Sequence, residues 1–179
     1  MSDTTWGRAF ANLLLDALVP FTVFLMILLT TLPVGLPIGA KLGGLAPLIA
    51  ICYWTLVRPR ELPPLMTFCM GVVTDLFLMT PLGVHAFVFV LAQTLLIKER
   101  RFLMGQGFWV LWAAFFLLAG GCYILLWGIM TLFAGGHVVL PFWRGIFSVG
   151  LSWALMPLVI LVLGSVEAFI DLFQEPGYE

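Results

Sequence analysis

Six apolar runs follow one another along the chain, at approximately 13–32, 36–57, 64–80, 82–98, 106–133 and 145–168. A helix that crosses the hydrocarbon core of a bilayer needs about 20 predominantly apolar residues, with a range of about 17–25. The background of these runs agrees with that use. Of 179 residues, 63% are hydrophobic and 9% charged, with a mean hydropathy of +1.15, where a soluble domain carries about 25% charged residues. The expectation is an all-α integral membrane protein, with about six transmembrane helices in one compact bundle and residues 1–179 forming a single transmembrane domain.

The breaks between runs set the order of the spans. Pro33 and Pro37 part the first from the second, and "RPRELPP" (Arg58 to Pro64) parts the second from the third. "TPLG" makes a tight turn between the third and fourth, "KERR" follows the fourth, and "GGHVVLP" parts the fifth from the sixth. With the N-terminus in the cytoplasm, Arg8, Arg58, Arg60, Lys98, Arg100 and Arg101 fall inside, and Lys41 and Arg144 fall outside. That division follows the positive-inside rule and puts both termini in the cytoplasm. The first run is too long for a signal-peptide core and ends without a small-residue cleavage site, so it reads as the first span.

The runs are unequal. The third and fourth reach roughly 25 Å each and the fifth roughly 40 Å at the helical rise, so the fifth must tilt, bend or protrude. Gly120–Gly121 is a place for a bend. Ahead of the first span, Trp6, Phe10, Leu13, Leu14 and Ala17 share one helical face and Arg8, Asn12 and Asp16 another. This segment reads either as an interfacial helix or as a cytoplasmic extension of the span. Behind the last span, Glu167, Asp171, Glu175 and Glu179 recur every four residues, which reads as a solvated acidic face or a partner-docking tail. Trp6, Trp54 and Trp143 lie near span ends, as an aromatic belt requires. Trp109, Trp112 and Phe116 form a lipid or partner face on the fifth helix.

Several classes of chemistry find no support. A net charge of −1 and the lack of a basic tract argue against nucleic acid. Cys52, Cys69 and Cys122 stand apart in apolar sequence, with no Cys/His spacing for a metal or disulfide framework. His85 and His137 are likewise isolated. There is no HExxH, GxSxG or phosphate-binding glycine loop, and an acid–base enzyme needs two matched titratable groups. The chain is expected to be neither an enzyme nor a cofactor binder.

One residue stands against the grain. In "FCMGVVTDLFLMTPLG", Asp75 places a carboxylate inside sequence fit for lipid, at a cost of a few kcal/mol on insertion scales. Gly71 lies one turn earlier on the same face and allows a neighbouring helix to approach. Lys41, His85, Gln93 and Tyr53 are the donors within reach of such a contact. A buried anchor between helices is one reading, and a proton relay or ligand-binding group is the other. Gly35, Gly39 and Gly43 form a second small-residue stripe suited to helix contact. Lys41 beside it reads as a snorkelling cation rather than as the partner of Asp75.

From the second to the fourth span the chain resembles the MreD family of bacterial rod shape-determining proteins. The ordered set is Tyr53–Trp54 at a span end, Pro59 in the loop, Phe68 and the Gly71-x-x-x-Asp75 pair on the next span, and Leu82–Gly83 opening another. The resemblance implies a multi-pass protein of the bacterial inner (cytoplasmic) membrane that binds MreC. It implies a part in coupling MreB filaments to the peptidoglycan synthase pair RodA and penicillin-binding protein 2, within the cell-wall elongation complex. A non-catalytic scaffold embedded in membrane lipid, able to form a homodimer, is the expected role. The family is also similar in fold to the substrate-binding subunits of energy-coupling-factor transporters, so a vitamin-transporter subunit is the rival. Such subunits commonly carry Ala-x-x-x-Ala on the first helix, and Ala9, Ala11 and Ala17 do not form that spacing.

Overall fold

The computed structural model describes residues 17–29, 45–133 and 142–174. These form six helices and no strand: α1 (Ala17–Leu29), α2 (Ala46–Val57), α3 (Pro64–Leu78), α4 (Val84–Met104), α5 (Phe108–Phe133) and α6 (Phe142–Gln174). The predicted amphipathic segment before α1, the glycine stripe at Gly35, Gly39 and Gly43, Lys41, His137, and Glu175 and Glu179 lie outside the described residues.

Local sequence explains the helix starts and stops. Prolines occupy the first turns of α2 and α3, where a missing N–H costs nothing because that group has no intrahelical partner. Met79 ends α3 in the left-handed conformation (φ 53°), and Gly83 opens α4 at φ 96°. The five-residue break from Met79 to Gly83 therefore reverses the chain within a very short distance.

Two helices are long and apolar enough to cross a membrane by length and composition: α5, and Ile146–Asp171 within α6. The helix lengths differ from the sequence-based expectation in particular places. The fourth was expected to end near 98 with "KERR" beyond it, but α4 continues to Met104 and carries Lys98, Glu99, Arg100 and Arg101 in its last turns. Lys, Arg and Glu are good helix formers, and cations suit a helix C-terminus. The sixth was expected over 145–168 and runs to Gln174, with Glu167 held by Tyr53 and Asp171 by Arg58 in its last turns.

α4 is the hub, packing on α2, α3 and α5, while α6 packs on α5 and α2; the most extensive contact is α3 on α4. The core centres on α2, with Leu48, Ile49, Ile51 and Trp54 fully buried against Phe89 of α4 and Leu163 and Ile170 of α6. The Trp54 indole donates to Thr22 Oγ1 at 2.8 Å, tying α2 to α1. A buried indole needs such an acceptor.

α3 is built inside out. Its buried residues are Thr67, Gly71, Thr74 and Asp75, one helical face made of small and polar groups. Leu65, Met66, Phe68, Leu76 and Phe77 are exposed. An amphipathic helix in water turns its apolar stripe to the core, so α3 is suited to an apolar surrounding on its outer side.

Proline inside α6 is accommodated by α5. Pro157 has no N–H for the carbonyl of Trp153 four residues earlier. That carbonyl instead accepts the Trp112 indole N–H at 3.1 Å, and the Trp153 indole donates back to the Trp112 carbonyl at 3.2 Å. The two indoles stack with centroids 3.8 Å apart. A freed backbone group in an apolar interior is thus satisfied by the neighbouring helix.

Candidate functional site

The α3–α4 hairpin gathers most of the residues singled out in the sequence. Gly71 faces the backbone of Ala86 so closely that an added Cβ would lie 2.2 Å from its Cα. No side chain fits there. The contact draws the two helices together and brings Asp75, one turn on, against the start of α4.

Asp75 is fully buried and both its oxygens are used. Oδ1 accepts from Thr80 Oγ1 at 2.8 Å, from the His85 backbone N–H at 3.1 Å and from His85 Nδ1 at 2.7 Å. Oδ2 accepts from the Gly83 N–H at 2.8 Å. The first N–H groups of a helix have no intrahelical partner, and Gly83 has no side chain to cap them. Asp75 supplies the missing cap from the preceding helix, its two oxygens accepting the N–H groups of Gly83 and His85. One proton is shared between His85 Nδ1 and Asp75 Oδ1 across the 2.7 Å contact. The His85 ring then rests edge-on against Phe89, 5.9 Å between centroids.

Of the three described donors that sequence offered to Asp75, His85 is the one that meets it; the fourth, Lys41, lies outside the described residues. Tyr53 instead donates to Glu167 Oε2 at 2.5 Å, and Gln93 donates to the Leu62 carbonyl at 2.7 Å. The reading of a solvated acidic face is corrected for Glu167, which is half-buried on Tyr53, while Asp171 stays exposed and pairs with Arg58. Glu167 holds Tyr53, and Asp171 pairs with Arg58, which also bridges Glu61 at 2.7 Å. The four-residue spacing turns both carboxylates toward the end of α2, where a phenol and a guanidinium await them.

The remaining motif residues are spread along the same unit. Trp54 lies in the core with the Tyr53 ring edge-on to it, 5.3 Å between centroids. Pro59 sits in the α2–α3 turn, half-buried, and Phe68 and Leu82 are exposed. Gly83 takes the positive φ that the turn into α4 requires, a conformation L side chains rarely adopt. Sequence reasoning did not find Thr80, which shares Oδ1 with His85, nor the Trp112–Trp153 exchange around Pro157. The tryptophan four residues before a proline was the available signal for the latter. Among the described residues, no three His, Cys, Asp or Glu side chains form a group that could hold a metal ion.

The arrangement holds backbone rather than presenting a reactive group. Every hydrogen bond to Asp75 comes from the turn it closes or from the start of α4. No curated protein and no solved structure matches the chain. The family model of the rod shape-determining protein MreD matches residues 11–166, a range that contains the whole α2–α4 unit and its Asp75 hairpin. The chain belongs to the MreD family, a family of membrane proteins that act in rod shape determination.

Proposed function

We propose that this protein is a non-catalytic scaffold of the bacterial cell-wall elongation complex, multi-pass in the inner membrane with both termini cytoplasmic. In this reading it binds MreC and connects MreB, RodA and penicillin-binding protein 2 during peptidoglycan synthesis. Family membership carries the assignment to rod shape. The observation that carries the scaffold role is the use of Asp75: the carboxylate is consumed in fixing α3 on α4. The hairpin so fixed turns Leu65, Met66, Phe68, Leu76 and Phe77 outward. In lipid there is no hydrophobic drive between helices, so recognition rests on packing and a few polar contacts. A rigid helix with an apolar outer face suits that kind of recognition.

Charge and contacts support this topology. Arg58 at the end of α2 reaches Asp171 near the end of α6, and Arg100 near the end of α4 donates to Leu56 of α2. The ends of three helices and their cations therefore gather at one pole, which the positive-inside rule assigns to the cytoplasm. Depletion in a rod-shaped cell tests the function. Cells should round up, with vitamin uptake unchanged. Retained rod shape with loss of uptake of one vitamin would replace the scaffold with the transporter subunit.

A further inference from the structure

We propose that the cleft between α2, α4, α5 and α6 is a binding site for one anionic phospholipid, with an acyl chain in the cleft and the phosphate on Arg100. The cleft has a volume of about 160 Å³ and is walled by Cys52, Leu56, Leu96, Leu103, Phe115 and Met156, among other apolar side chains. An apolar cavity of about 150 Å³ holds a benzene-sized group, so there is room for a short run of methylenes. Met104 and Phe108 line the cleft and are also exposed, so the chain continues outward past them.

The polar end of the ligand is set by Arg100. Leu96, Arg100 and Leu103 are spaced four and three apart and so share one face of α4, which puts the arginine between two residues of the cleft wall. Its Nε donates to the carbonyl of Leu56, another wall residue, at 2.7 Å. The guanidinium thus reaches across from α4 to α2, and its two terminal nitrogens have no partner among the described residues. Lys98 and Arg101 flank it and are exposed, with Glu99 the one carboxylate within that run. Basic clusters at the cytoplasmic end of a membrane helix attract anionic lipid headgroups. A planar fork with open donors suits phosphate oxygens.

The lining argues against a polar small molecule. Such sites carry a few convergent polar groups among apolar walls. Here the Tyr53 hydroxyl is already given to Glu167.

Native mass spectrometry of the full chain in detergent tests the proposal, with phosphatidylglycerol, phosphatidylcholine of matched chains, and inorganic phosphate as probes. On the unmodified chain, one phosphatidylglycerol should be retained at least fivefold more than phosphatidylcholine, and inorganic phosphate should neither bind nor displace it. Arg100→Gln should abolish the headgroup preference, and Arg100→Lys should restore part of it. Ala114→Phe, which fills the cleft, should lower retention of both lipids. Equal retention of the two lipids, displacement by inorganic phosphate, or an unchanged preference in Arg100→Gln overturns the site. So does unchanged retention in Ala114→Phe. The comparison among probes uses the unmodified protein, so a variant that fails to fold leaves that arm decisive.

Discussion

Asp75 makes its hydrogen bonds unequally through its two oxygens, and that inequality predicts how substitutions behave. Oδ1 serves Thr80 and both groups of His85, while Oδ2 serves the Gly83 N–H. Asparagine keeps a carbonyl oxygen for the first set and turns its NH₂ toward Gly83, stranding one donor. Leucine strands all of them, at about 1–3 kcal/mol for each buried group left unpaired. Thermal unfolding in detergent should rank wild type above Asp75→Asn and Asp75→Leu lowest. Equal loss in the two variants would assign the carboxylate a role that depends on its charge.

Gly71 offers a second test at this scale, because space and not conformation makes it necessary. Gly71→Ala should lower the melting temperature by forcing α3 from α4. Gly128→Ala, where an added Cβ meets nothing, should not. Alanine also favours the helix interior by roughly 1 kcal/mol over glycine. A Gly71→Ala protein as stable as the Gly128→Ala control would contradict the close approach. Much of this site was legible in sequence: an isolated carboxylate, a glycine one turn before it, and a Leu-Gly opening the next helix. The meeting with His85, rather than with Tyr53 or Gln93, was not, because it depends on how the chain reverses at Met79 and Gly83.

At the scale of helices, the exchange between α5 and α6 couples a proline to a tryptophan on another element. Trp112→Phe keeps a ring for the stack and removes the donor to the Trp153 carbonyl, so it should destabilise by about 1 kcal/mol. Pro157→Ala returns an N–H to that carbonyl from within the helix. The double variant should therefore recover stability lost in Trp112→Phe, by an amount greater than Pro157→Ala gains alone. Simple additivity in that double-mutant cycle would mean that the two residues are not coupled. Helix identity was readable from apolar runs and prolines, and α3, α4 and α5 begin within two residues of expectation. The ends of α4 and α6 were less readable, each running six residues past expectation. Hydropathy marks where lipid-compatible sequence stops, whereas α4 continues through Lys98, Glu99, Arg100 and Arg101, which still favour helix, and α6 runs on past Asp171, which pairs with Arg58 at the pole.

For the whole molecule, the alternation of helices gives a direct topological expectation. In a chain whose native cysteines are replaced, single cysteines at Met79 and at Gln106 flank α4 and should be labelled from opposite sides of the membrane. Labelling from one side would remove the multi-pass arrangement and the cytoplasmic placement of Lys98, Arg100 and Arg101. The proposed scaffold role requires a protein that holds other membrane proteins, for which the Asp75 hairpin offers the apolar outer face of α3. Purification of the tagged chain from native membranes in mild detergent tests that most directly, with MreC quantified in the eluate of wild type and of Gly71→Leu. The account predicts that MreC is recovered with the wild type and lost or sharply reduced with Gly71→Leu at equal yield of the tagged chain. Absence of MreC from the wild-type eluate would contradict it.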